Sequence, residues 1–202
     1  MEQTNPPVNT EPETARPKQS RLSDYLLLLV GAGTIIALDT WTKTLVDRNI
    51  PIGGAWLPDS LAHYLAYFRV THFHNTGTAF SMFAGTERIN LIISILAFVV
   101  SVIIVAIFPR IDRRERLLRA AVILQLGGAI GNLISRLQYG YVLDFISIGN
   151  FAVFNIADAS LVTGASLMVL AVLLEEIRGK KKAEENSDVG EETDILPTDE
   201  LR

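Results

Sequence analysis

Two carboxylates and the polar groups around them hold most of the chemistry that this sequence offers. Between Gly127 and Asp158 the chain reads Gly-Gly-Ala-Ile-Gly-Asn132-Leu-Ile-Ser-Arg136, then Gly140-Tyr-Val-Leu-Asp144-Phe, then Phe154-Asn155-Ile-Ala-Asp158. Polar and ionisable groups inside such apolar sequence are expensive, so each one marks a candidate functional position. Asp144 and Asp158 are the acids of this stretch. Two carboxylates brought within a few ångströms cannot both ionise easily and come to share a proton. One can then activate water as a base, while the other polarises a scissile carbonyl and later protonates a leaving amine. That aspartic-protease pattern needs no Cys, metal or activated Ser. The residues alone leave two other readings open. Asp158 can serve as the proton or ion site of a small transporter, or both acids can sit in a non-catalytic scaffold. A transporter of this size would call for oligomerisation, and the outward placement of the acids derived below does not suggest alternating access.

The wider composition narrows the field. The chain has 202 residues, 49% of them hydrophobic, and no Cys. Disulfides, thiol catalysis and Cys-ligated metal sites are therefore excluded. The net charge of −4 comes from an acidic C-terminal segment, and no basic surface suited to nucleic acid is discernible. Residues 1–21 are rich in Pro, Thr and Glu, and residues 179–202 run from a Lys cluster into an Asp/Glu/Ser/Thr mixture. Neither can bury enough apolar surface to fold, so both are expected to be disordered tails around a domain at 22–178.

Four apolar runs reach the roughly 20 residues that a membrane span requires: Tyr25 to Val46, Ile89 to Phe108, Leu117 to Ile134 and Phe151 to Leu174. The expected fold is an all-α membrane protein of four transmembrane helices with a small extracytoplasmic β element. A cleaved leader is not expected, since polar residues precede the first run and Asp39 and Lys43 interrupt it. Arg16, Lys18 and Arg21 precede the first run, Arg110, Arg113, Arg114 and Arg116 join the second and third, and Arg178 and Lys180 to Lys182 follow the fourth. This bias places both termini in the cytoplasm, with residues 47–88 and 137–150 outside. Asp39, Asn132 and Asp158 then fall at roughly 20 to 22 Å above the cytoplasmic edge of a core about 30 Å thick. Three polar groups on three helices thus share one level near the outer face. Arg136 lies one turn higher, and Asp144 lies in an outer connection that can fold back on them.

Faces agree with depths. Asp39 and Lys43 are four apart, in the favourable acid-first order, as are Asn132 and Arg136, while Asn155 and Asp158 are three apart. Gly127 and Gly131 form a small-xxx-small spacing, for which close helix packing is the plainer reading. In the first outer connection, the stretch from Ala66 to Phe83 carries β-branched and aromatic residues and then Asn75-Thr-Gly77, which suggests short strands and a turn. Trp41 and Trp56 suit interfacial anchoring. His72 and His74 could point the same way on a strand and bind a metal, but no third strong ligand is near them in sequence, so no metal or cofactor is expected.

At these residues the sequence resembles the lipoprotein signal peptidases, the type II signal peptidases of bacterial inner membranes, over roughly residues 25–178. Asp39-Thr-Trp-Thr-Lys43, Asn75-Thr-Gly-Thr-Ala-Phe80, Gly127-Gly-Ala-Ile-Gly-Asn132 with Arg136 and Gly140-Tyr-Val-Leu-Asp144-Phe145, and Phe154-Asn-Ile-Ala-Asp158 look like that family's motifs in order. Each is weak alone, and together they are specific. The resemblance implies an aspartyl endopeptidase of the inner membrane that acts within the outer leaflet, and the chain is expected to be a monomer without a cofactor. It would cut the signal peptide from a prolipoprotein before its diacylglyceryl-modified cysteine. By that implication Asp144 and Asp158 are the catalytic pair. Asn132, Arg136 and Asn155 orient the substrate or the pair, Asn75 and Gly77 belong to the β element that cradles substrate, and Asp39 and Lys43 support the site. Ser135 stands where the family usually has Asp, which leaves open how Arg136 is paired. Thr78 replaces a small apolar residue.

Overall fold

The structure is a computed structural model that describes residues 21–56, 67–76 and 87–193, with side chains to Lys180. Among these residues four helices are long and apolar enough to cross a membrane. They are α1 (Arg21–Asn49), α2 (Glu87–Ile107), α3 (Arg116–Tyr139) and α4 (Ile156–Thr193). Each takes in most of one of the four apolar runs, and the helical form follows because hydrocarbon offers no other partner for backbone N–H and C=O groups. The ends differ from the hydropathy reading. α1 and α3 continue into polar sequence, so Arg136 stays on the same helix as Asn132. α3 stops at Gly140, whose φ of 76° lets its N–H close onto the Arg136 carbonyl. α4 starts at Ile156 rather than Phe151, and it continues past Arg178 to Thr193, into the segment read from composition as a tail. Lys180 pairs with Glu176 one turn back at 2.9 Å in that stretch. Residues 1–20 and 194–202 lie outside the described residues, as do His63, Gly77 and Thr78.

α3 is the central helix. Half of its most apolar stretch is buried (50%), against 22% in α1 and α2 and 17% in α4, so the outer helices present mostly apolar side chains outward. Leu91, Leu96, Val102, Val162 and Val169 are among them. Large apolar surfaces of this kind suit hydrocarbon and not water. α1 runs parallel to α3 at very close range. A Cβ on Gly127 would stand 2.7 Å from the Ile35 side chain, and one on Gly131 would stand 3.0 Å from an Asp39 carboxylate oxygen. The small-residue spacing is therefore a packing device. On another face of α3, Gly128 admits the backbone of α4, with the Ala157 carbonyl 2.5 Å from where a Cβ would sit. Gln125 Nε2 donates to the Leu161 carbonyl at 2.8 Å on the same seam.

The small β element is a three-stranded antiparallel sheet in the order β1 (Ala55–Trp56), β2 (Phe68–Asn75), β3 (Val142–Ile148). β2 lies in the connection where strands were expected. β3 was not anticipated, because it is buried on both faces and its Val-Leu-Asp-Phe-Ile sequence shows no alternation. A register shift between Val70 and Phe73 sets Phe73 opposite Asp144 and Asn75 opposite Val142. Asn75 and Asp144 thereby become diagonal neighbours on one face of the sheet. Val46, Ile50, Leu143 and Phe145 form an apolar cluster that seats the sheet on the end of α1. Phe154 exchanges backbone hydrogen bonds with Ile146 (3.0 and 2.8 Å). That bridge returns the chain to the bundle and delivers Asn155 to the start of α4.

Candidate active site

α4 begins with Asn155 as its cap. Asn155 Oδ1 accepts from the Asp158 N–H at 2.9 Å, and an Asp158 carboxylate oxygen accepts from the Asn155 N–H at 3.2 Å. This is a reciprocal pair of the capping-box type, satisfying two of the donors that a helix start leaves open. A third donor, the Ala157 N–H, is taken by Asp39 Oδ1 from α1 at 3.0 Å. The three-residue spacing seen in the sequence thus orients Asp158 by helix-start geometry, with its carboxylate against the positive end of α4.

Asn155 also joins the two acids. Its Nδ2 donates to Asp144 Oδ1 at 2.7 Å and reaches Asn132 Oδ1 at 3.2 Å. Asn132 Nδ2 donates to Asp158 Oδ1 at 2.7 Å, and Asn75 Nδ2 donates to Asp144 Oδ2 at 2.9 Å. Every carboxylate oxygen of the pair therefore has a fixed amide donor, and each donor is a residue singled out in the sequence. Beneath them Lys43 Nζ sits 2.6 Å from Asp39 and donates to Asn132 Oδ1 (3.1 Å) and Ser135 Oγ (3.2 Å). Asp39 and Asn155 are 0% exposed and Lys43 is 7% exposed, so this is a buried ion pair that holds Asn132 in place. Removing one partner of such a pair costs about 3–5 kcal/mol. Ser135 faces Lys43 and donates back to the Gly131 carbonyl at 3.2 Å. The substituted position thus belongs to the lysine cluster.

Asp144 is 1% exposed. Burial, then the charge of Asp158, pushes its carboxyl up to about 7, against the opposing hydrogen bonds from Asn75 and Asn155 and the charge of Lys43. At neutral pH it therefore holds a proton for part of the time. A cavity of about 560 Å³ opens beside both acids, lined also by Asn75 and Arg136 and by the apolar Val142, Phe154, Leu161 and Val162. Arg136 is half-buried, and its guanidinium reaches the Asn132 carbonyl at 3.5 Å. The described residues bring together Asp39, Lys43, Asn75, Asn132, Arg136, Asn155 and both acids, whereas Gly77 lies outside them. Trp41 and Trp56 are exposed. Among the described residues the cluster of three potential metal ligands, Asp47, His72 and His74, lies on the end of α1 and on β2.

A helical membrane bundle with paired carboxylates at one end, held by fixed amides beside an apolar cavity, has the make-up of an intramembrane hydrolase. The family model described as signal peptidase (SPase) II matches residues 31–174. The lipoprotein signal peptidase of Mesorhizobium japonicum is 38% identical over 156 residues, covering 75% of this chain and 86% of that protein. The lipoprotein signal peptidase of Bacillus subtilis is 38% identical over 165 residues, covering 80% and 98%. A solved bacterial membrane enzyme superposes with a TM-score of 0.65 at 25% identity, over 74% of this chain and 88% of that one. The chain belongs to the signal peptidase II family and is a multi-pass bacterial membrane protease.

Proposed function

We propose that this protein removes the signal peptide of lipid-modified prolipoproteins, cutting before the diacylglyceryl-modified cysteine, with Asp144 and Asp158 as the catalytic pair. The supporting observation is Asn155, which binds Asp144 through its side chain and Asp158 through its backbone N–H. The pair holds one proton, carried mainly by Asp144, whose buried setting favours the neutral acid. Ionised Asp158 takes a proton from water as that water attacks the scissile carbonyl. Asp144 donates to the developing oxyanion, and the tetrahedral intermediate collapses as Asp158 passes its proton to the leaving nitrogen while Asp144 takes a proton back from the gem-diol hydroxyl. Asn75, Asn132 and Asn155 keep both carboxylates aimed through this cycle, and Lys43 and Asp39 fix Asn132 and the start of α4. Arg136, which lines the cavity, meets substrate backbone. The apolar walls suit a signal-peptide side chain or acyl chain and exclude bulk water, which strengthens the electrostatics of the pair.

The distribution of Lys and Arg supports cytoplasmic termini and a site near the extracytoplasmic face. The diacylglyceryl group can then remain in the outer leaflet while the cleavage site enters. The working unit in this reading is a monomer, with membrane lipid and the prolipoprotein substrate as its partners. The assay is cleavage of a diacylglyceryl-modified prolipoprotein by the Asp144→Asn variant in detergent, with helicity measured alongside. A folded, inactive variant is expected, and full activity would overturn the assignment of Asp144.

A further inference from the structure

His72 and His74 gain from the fold the partner that they lack in sequence. They lie two apart on β2 and face the end of α1, where Asp47 completes a cluster whose ligand atoms all lie within 4.8 Å of one another. His72 Nε2 stands 3.0 Å from His74 Nε2 and 3.6 Å from Asp47 Oδ1. A tetrahedral zinc ion with bonds near 2.0–2.1 Å separates its ligand atoms by about 3.3 Å, between these two spacings. His72 is 2% exposed, and its Nδ1 lies 2.6 Å from the Ile50 carbonyl. That contact requires the proton on Nδ1 and turns the lone pair of Nε2 toward the other two ligands. A backbone carbonyl on the far nitrogen is the usual way of orienting a metal-binding histidine. The His74 ring stacks on Tyr141 with centroids 3.7 Å apart, which holds the second imidazole at its angle.

We propose that Asp47, His72 and His74 form a divalent transition-metal site for Zn²⁺, with water completing the coordination. Two imidazoles and one carboxylate select Zn²⁺ over Mg²⁺ or Ca²⁺, which take oxygen ligands. The ion pins β2 to the end of α1. His74 is adjacent to Asn75, the donor to Asp144, so the pinned strand is the one that reaches the catalytic pair. The metal plays no part in the hydrolysis.

The test uses the full chain, purified in detergent and stripped with a chelator, then titrated with zinc chloride by calorimetry. One equivalent should bind at micromolar or lower concentration. His74→Ala and Asp47→Asn should each weaken binding at least tenfold, and Asp144→Asn should leave it unchanged. Thermal unfolding of each metal-free variant reports its folding, and zinc should raise the unfolding midpoint of the unaltered chain but not that of His74→Ala. Absence of binding, or equal binding by folded His74→Ala, would overturn the site. Loss of binding in Asp144→Asn alone would place the zinc on the catalytic acids and also overturn it.

Discussion

Replacing Asn75 with Ala should move the alkaline limit of activity upward. Asn75 Nδ2 donates to Asp144 Oδ2 at 2.9 Å, and this bond favours the ionised carboxylate, opposing the burial that pushes the group up to about 7. In the proposed mechanism the reaction needs the shared proton, so kcat/KM should fall as pH rises through the value at which Asp144 loses it. Without the amide the carboxylate is less well held, the acid keeps its proton to higher pH, and the limb shifts toward alkali. A hydrogen bond to a charged group contributes about 1.5–3 kcal/mol. Asn75 is half-buried and water can partly replace it, so the lower figure applies. At 1.36 kcal/mol per pH unit that is a shift of about one unit, from near pH 7 to near pH 8. The assay is kcat/KM for a lipidated prolipoprotein across pH 5.5 to 9.5 at constant ionic strength. A limb that stays in place, or moves toward acid, would refute the reasoning.

Arg136→Ala should raise KM several-fold with little loss of thermal stability, because the guanidinium lines the cavity and makes one long bond to the Asn132 carbonyl. An unchanged rate accompanied by a large fall in the unfolding midpoint would reverse that view. Asp24→Ala should destabilise by about 3 kcal/mol, since it strips the acidic partner from Arg119, which is 5% exposed and bound to Asp24 at 2.7 Å. Thermal unfolding measures this, with kcat at permissive temperature expected to hold. Lys43→Met should lower kcat at least about tenfold while Asp144 and Asp158 remain, since Lys43 fixes Asn132 against Asp158. Unaltered kinetics would remove Lys43 from the positioning network.

Much of the site was legible because membrane sequence makes polar residues conspicuous. Asp39, Lys43, Asn132, Asn155 and Asp158 interrupt apolar runs and Arg136 follows just after one, and their spacings of three and four already placed them on common faces. The depth estimate brought Asp39, Asn132 and Asp158 to one level, and the hydrogen bonds among Asp39, Lys43, Asn132, Asn155 and Asp158 agree with it. The structure adds tertiary information that spacing cannot carry. Phe151 to Phe154 reads as helix by hydropathy, yet Phe154 bridges to Ile146 and the helix waits for its cap at Asn155. β3 hid in an unalternating apolar stretch, so the pairing that aims Asn75 at Asp144 could not be read. The approach of Asp47 to His72 and His74 depends on how the sheet seats on α1, and nothing local encodes it.

The most direct test of the central claim is cleavage of a diacylglyceryl-cysteine prolipoprotein by the purified protein beside its Asp158→Asn variant. Cleavage before the modified cysteine by the unaltered chain, with loss of at least about 10²-fold in a folded variant, is the result expected of a carboxylate pair. Equal cleavage by the variant, or none by a demonstrably folded unaltered chain, would contradict the account.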